Sequence, residues 1–381
     1  STLVLVFFFW GFIAASNSIF IPFCKTHFNL SQFESQLIGS AFYGAYFIGS
    51  LILFLCSNLI GYDILNKIGY KKGIIYGLWI SVVGALLIIP AANANSFPAI
   101  LAAFFVVALG FSLQQTAAQP FAILLGDPAT GSHRLNLGGS LNSIGTTIGP
   151  LIVSFFLFGS PSAKNSVVTV TNINLLYLIV AGVFAAVAIF FSLSKKLPDG
   201  KNEEKFETAN KAAGSLLIMT LLIGAIIVVG QLTDVPKLNL LIMTLVSVIV
   251  VLFYSNNSAI KNDAGWGAMK YEQLIYGMIA IFIYVGVEVT IDNNFGALLK
   301  NPGYITELGL DESEISKYIS LYWGSLMIGR WTGAVSVFNL KGTIKKVMMI
   351  IVPFIAFAVV LGVSEIYGND VSDLYGYAIF I

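Results

Sequence analysis

The stretch that decides the fold is "ILAAFFVVALGFSLQQTAAQPFAILL", Ile100 to Leu125. It exceeds the roughly 20 residues that a helix needs to cross hydrocarbon, yet it holds Gln114, Gln115 and Gln119 close together. An amide without a hydrogen-bond partner in an apolar medium costs on the order of 2 to 7 kcal/mol. A chain that keeps three of them there must supply partners. Working outward, the rest of the sequence has the same character: of 381 residues 57% are hydrophobic and 10% charged, against about 25% charged in ordinary soluble domains. One globular core cannot hide that much apolar surface. A β-barrel needs alternating segments of about 10 residues, whereas "LLIMTLLIGAIIVVG" at 216–230 is apolar all round. An all-α, polytopic membrane protein follows.

Apolar runs bounded by charges or Gly/Pro clusters predict spans near 2–24, 37–60, 73–91, 98–125, 136–159 and 174–194. A mixed-charge connector follows, "SKKLPDGKNEEKFETANKAAG", and then two compact runs at 214–232 and 238–254 that read as an inserted hairpin around the turn "TDVPK". Further spans are predicted near 271–290, 316–338 and 346–363, with another beginning near 374. The domain reading is an N-terminal six-helix half at 1–194, connectors with the transmembrane hairpin (about 214–254) at 195–270, and an incomplete C-terminal half at 271–381. The chain starts without Met inside a span and stops inside another, so it is expected to be a fragment.

Sorting Lys and Arg between alternate loops orients the spans. Fifteen of the twenty, among them Lys67, Lys71, Lys72, Arg134, Lys195, Arg330 and Lys346, fall in one set of loops. Lys25, Lys164, Lys237, Lys300 and Lys317 fall in the other. The first set is read as cytoplasmic, and its phase persists across the hairpin. Six spans, a cytoplasmic connector and a second series of spans is the organisation of a transporter built from two halves.

Polar groups inside spans usually face a bundle interior or a water-filled path. They cluster here: Ser16, Asn17 and Ser18 in the first span, Tyr43 and Tyr46 in the second, the glutamines in the fourth, Asn142, Ser143 and Thr146 in the fifth. "YVGVEVTIDNNFG" adds Glu288, Asp292 and Asn293. Gln115 and Gln119 share one helix face, as do Glu288 and Asp292, each pair being four residues apart. An uncharged lining of amides and hydroxyls with aromatics such as Tyr43, Tyr46, Tyr322 and Trp323 suits a neutral polyhydroxylated solute, because each amide can donate to one hydroxyl and accept from another. A sugar is the expected substrate. A carboxylate inside a span costs about 2.5 kcal/mol or more on insertion scales, which singles out Glu288 as the cation-coupling candidate, with Asp292 beside it. Gly138, Gly139 and Ser140 read as close helix packing, and interhelical bonding competes with sugar contact at Gln115 and Asn142.

The exclusions are equally specific. There is no HExxH, no GxSxG in a strand-turn-helix setting and no Walker A pattern, so no enzyme, metal site or cofactor is expected. Net charge is +1 and no basic cluster interleaves with aromatics, which excludes nucleic acid as a partner. Cys24 and Cys56 read as small buried hydrophobes, and His27 and His133 as loop residues.

With these motifs in order along the chain, "SAFYGAYFIGS", "QQTAAQPFAILLG", "HRLNLGGSLNSIGTTIGP", "YVGVEV" and "IGRWTG", the sequence resembles the fucose/galactose/glucose:H+ symporter family of the major facilitator superfamily. The resemblance implies twelve core helices, of which the last are missing here, and import of a hexose or deoxyhexose across the bacterial inner membrane by alternating access. It implies sugar contact at Gln115 and polar groups of the path at Asn17, Gln119 and Asn142; with Tyr43 from the aromatic lining, these are the expected sugar-binding residues. It also exposes departures: the family's acids of the first and fourth spans match Ser18 and Gln115, and its glutamine of the fifth span matches Gly139. Coupling, to H+ or Na+, then falls to Glu288. An uncoupled facilitator, and a sensor or accessory protein on the same scaffold, remain the competing readings.

Overall fold

The computed structural model describes residues 3–127, 131–158, 169–195, 197–201, 206–300, 312–334 and 342–366. The elements in order are α1 (Val4–His27), α2 (Gln32–Ile60), α3 (Ile64–Ile68), α4 (Tyr70–Asn93), α5 (Phe97–Leu124), α6 (Gly131–Phe158), α7 (Val170–Leu193), α8 (Asn210–Leu232), α9 (Lys237–Lys261), α10 (Glu272–Lys300), α11 (Glu312–Ala334) and α12 (Gly342–Ile366), with a 3-10 turn at Gly267–Lys270. Every predicted span but the last has its helix, and that last one, near 374, lies outside the described residues. Among the described residues, helices α2 and α4 to α10, eight in all, are long and apolar enough to cross a membrane, and α1 adds the apolar stretch Leu5–Ile21.

The helix ends are legible in local chemistry. Ser31 Oγ accepts from Glu34 N at 3.2 Å while the Glu34 carboxylate accepts from Ser31 N at 2.8 Å, a reciprocal capping box at the start of α2. Ser96 Oγ accepts from Ala99 N at 3.4 Å at the start of α5. At its other end, the Arg134 guanidinium donates to the carbonyls of Ala122, Ile123 and Asp127. A cation there satisfies acceptors that the helix leaves orphaned and opposes the negative end of the helix dipole. Among the described residues, the unexpected elements are α3, whose first amides bond to Asp63 Oδ1 at 2.9 and 3.3 Å, and the short 3-10 turn.

The chain divides into two compact units: Ser1–Gly49 with Gly69–Gly200 and Ile291–Ile381, and Ser50–Ile68 with Lys201–Thr290. In the first unit, small residues decide which helices meet. A Cβ on Gly11 would collide with the Asn142 carbonyl, and one on Gly145 with the Phe8 carbonyl. Gly138, Gly145 and Gly149 therefore form a stripe at helical spacing that lets α6 lie directly on α1. Gly138 faces the Phe7 ring, whereas Gly139 has open space and Ser140 bonds back to Asn136 O at 2.9 Å, so the packing reading holds for Gly138 and not for its neighbour. On α4, Gly77, Ser81 and Gly84 do the same against α5: a Cβ on Gly77 would stand 2.5 Å from Gly110 O.

Aromatic rings fill the remaining space. Phe20, Phe104 and Tyr177 join α1, α5 and α7 with centroids 5.3 to 6.0 Å apart. Phe42, Phe111 and Phe184 link α2, α5 and α7 at 5.7 and 5.5 Å in T-shaped contacts, a geometry that sets a ring's positive edge on its neighbour's negative face.

The second unit is built on the hairpin α8–α9. Its core gathers Ala209, Ala212, Val248, Leu252 and Ala259 around Trp266, Met269 and Ile275, with Phe54 at the edge. Asn58 accepts from Ala209 N and donates to Asn210 Oδ1, both at 2.6 Å, and Asn256 donates to Met269 O at 2.8 Å. Most of the hairpin's large side chains, such as Leu221 (71%) and Leu232 (79%), are exposed, which fits helices solvated by lipid.

Candidate functional site

The three glutamines of the opening stretch have three different environments. Gln114 is buried: its Oε1 accepts from Trp10 Nε1 at 3.2 Å, its Nε2 donates to Ser81 Oγ at 3.0 Å, and Ser81 Oγ donates on to Val107 O at 3.1 Å. That amide ties α1, α4 and α5 together. Gln115, one residue on and about 100° around the helix, is half-buried and hydrogen-bonded to the Tyr46 side chain. The seam between α2 and α5 continues one turn earlier, where Ser112 Oγ donates to Tyr46 O at 2.9 Å. Gln119 is exposed, one turn from the end of α5 and beside the in-helix Pro120. A proline there has no N–H to give to the carbonyl four residues back, so the helix can bend at that point.

The remaining candidates sit as follows. Tyr43 is half-buried on α2 and meets Phe42 edge-on at 5.4 Å. Asn142 is half-buried on α6 and donates from Nδ2 to Phe7 O at 3.0 Å, an interhelical bond to α1 that leaves its Oδ1 for other use. Asn17 lies within α1, but its side chain is outside the described residues, as are those of Ser16, Ser18 and His133. Tyr43, Gln115, Gln119, Asn142 and Asp292 belong to the first unit and Glu288 to the second.

Two of the three acids of α10, Glu288 and Asp292, are buried, whereas Glu272 in its first turn is exposed. Glu288 is 7% exposed while its neighbours Val285 and Val287 are 38% and 56% exposed, so the carboxylate sits on the covered face of a largely uncovered helix. Asp292, one turn further along that face, is 1% exposed and accepts from Trp323 Nε1 at 2.8 Å. Just beyond it, Gln36 Nε2 donates to Asn293 O at 3.1 Å.

A second polar seam escaped the sequence reading. Arg330, assigned there to a basic loop, lies inside α11 and donates from Nη1 to Ser143 Oγ at 3.0 Å. Ser320 Oγ donates to Thr147 O at 2.5 Å on the same pair of helices, α6 and α11. The loop assignment fails because a guanidinium on a long stem can be carried inside a helix where a hydroxyl on the facing helix receives it. The available signal was its place inside the apolar run 316–338.

Comparison with known proteins identifies the scaffold. A glucose/galactose transporter of Brucella abortus is 30% identical over 334 residues, 88% of this chain and 65% of its own. A putative glucose/galactose transporter of Helicobacter pylori is 29% identical over 88% of this chain and 66% of its own. The L-fucose–proton symporter of Escherichia coli is 31% identical over 205 residues, 50% of this chain and 45% of its own. This chain thus spans about two thirds of the length of the first two relatives. A crystal structure of the E. coli fucose:proton symporter aligns over 97% of this chain at 22% identity with a TM-score of 0.45, and the assignment does not rest on it. The Major Facilitator Superfamily itself matches residues 2–381. On that match, the chain belongs to the major facilitator superfamily, as a multi-pass membrane protein resembling the fucose/galactose/glucose symporters.

Proposed function

We propose that the protein to which this chain belongs imports a neutral hexose or deoxyhexose across a bacterial inner membrane by alternating access, coupled to H+ or Na+. The observation that carries the reading is the match, at 30% identity over 88% of this chain, to a relative named for glucose and galactose transport. The two halves are 1–194 and 271–381, joined by the connectors and the hairpin at 195–270. Half-buried amides are what a sugar path requires, since they exchange water for sugar hydroxyls with little change in hydrogen bonding. Gln115, with Tyr46 as its partner, is the principal sugar contact, supported by Tyr43, Asn142, Asn17 and Gln119.

Coupling falls to Glu288 and Asp292. The positions that resemble acids in the family's first and fourth spans hold Ser18 and Gln115, and neither releases a proton. Glu288 and Asp292 are buried carboxylates one helical turn apart, and buried ionisable groups in spans usually mark an ion or substrate pathway. The test is uptake of labelled D-galactose, D-glucose and L-fucose by proteoliposomes under imposed proton or sodium gradients. Gradient-driven accumulation is expected, equilibration alone would leave a facilitator, and no flux of any of the three would leave a sensor or accessory protein.

A further inference from the structure

We infer that Asn293, seated in a notch at Gly39, is the closure of the sugar path at the end opposite the lysine-rich loops; the inference rests on the transport reading above and adds a moving part to it. Gly39 lies in the second turn of α2, and a Cβ built on it would stand 2.6 Å from Asn293 Nδ2. The missing methyl is therefore the space that the Asn293 amide occupies. One turn earlier on the same face, Gln36 Nε2 holds the Asn293 carbonyl at 3.1 Å. Two positions of α2 thus bracket a single residue of α10. The residue before it, Asp292, is tied to α11 through Trp323 Nε1 at 2.8 Å.

Helix α2 belongs to the first series of spans, and α10 and α11 to the second. A scaffold that works by rocking one series against the other must make and break the contacts between them. The link at Asn293 has the right scale. It is one neutral hydrogen bond and one small side chain in a notch, whereas α1 and α6 meet along a stripe of glycines with backbone against backbone. The first kind of contact parts easily, and the second holds helices of the same series together. Asp292, fixed to α11 and adjacent to Asn293, makes the closure follow any movement of α11.

The experiment keeps the closure and the sugar reading separable. Ser35, buried and one turn before Gly39, is replaced (Ser35→Cys) in the purified chain, and the new thiol is labelled with a bulky maleimide in detergent micelles. The parent chain, which carries buried Cys24 and half-buried Cys56, supplies the background. Adding Gly39→Val is expected to raise the labelling rate about tenfold, the shift of one decade in the open fraction that a crowded notch would produce. Adding Asn293→Ala to that variant is expected to return the rate to the Ser35→Cys level, because the crowded amide is gone. Gly44→Val, on the same helix but with nothing within 4 Å of its Cβ, is expected to change nothing. An unaltered rate in Gly39→Val, or a raised rate that Asn293→Ala does not reverse, overturns the closure. In proteoliposomes the same variants are assayed with labelled D-galactose, where Gly39→Val is expected to lose uptake and the double variant to regain it. If the labelling pattern holds while even the parent moves no sugar, the closure stands and the sugar reading falls.

Discussion

Trp323 donates its indole N–H to the Asp292 carboxylate at 2.8 Å, with Trp323 5% and Asp292 1% exposed. A carboxylate this deep gains little from solvent, so the neutral donor on the neighbouring helix contributes both stability and orientation. Trp323→Phe keeps an aromatic ring, though a smaller one, and removes the donor. Unfolding titrations should show a loss of about 1.5 to 3 kcal/mol, the range for a hydrogen bond to a charged group. Trp79→Phe, at an exposed position, is expected to be neutral. Equal effects in the two variants would mean that the 2.8 Å contact contributes nothing beyond ring packing.

Gln114 and Gln115 should separate structure from substrate. Gln114→Ala strands the Trp10 N–H, at a cost of about 1 to 3 kcal/mol when buried, and removes the donor to Ser81 Oγ, which still donates to Val107 O, so stability falls. Gln115→Ala is expected to lower affinity for D-galactose, measured by equilibrium binding, about tenfold, the loss of a sugar hydrogen bond, with a much smaller change in stability. Unchanged affinity in Gln115→Ala would return that residue to helix packing alone.

The α1–α6 seam gives a third expectation. Gly145→Ala places a methyl against the Phe8 carbonyl, and a backbone atom in a packed seam cannot swing aside. A loss of about 1 to 3 kcal/mol or more follows, visible as aggregation during size-exclusion chromatography after mild heating. Gly139→Ala, into open space, should behave as the parent does.

What the sequence disclosed depended on the range of the interaction. Span positions follow from local composition, so the hairpin turn between α8 and α9 was readable. The fates of Gln114 and Gln115 were not, because one residue turns a side chain about 100° on a helix and the partners Trp10, Ser81 and Tyr46 come from other helices. Arg330 stands inside the apolar run 316–338, yet the partner that receives it there, Ser143, comes from another helix and is not visible from local composition. Gly138 and Gly139 both read as packing by their size, yet only Gly138 meets a neighbouring helix, so small size alone does not place a residue at a contact.

The coupling role of Glu288 is the central claim, and transport by Glu288→Gln in proteoliposomes tests it most directly. The account predicts that this variant fails to accumulate labelled D-galactose against its gradient while counterflow exchange continues at close to the parent rate, because the sugar contacts persist while the coupling carboxyl at Glu288 is lost, and Asp292 alone does not replace it. Accumulation at the parent level in Glu288→Gln would contradict it.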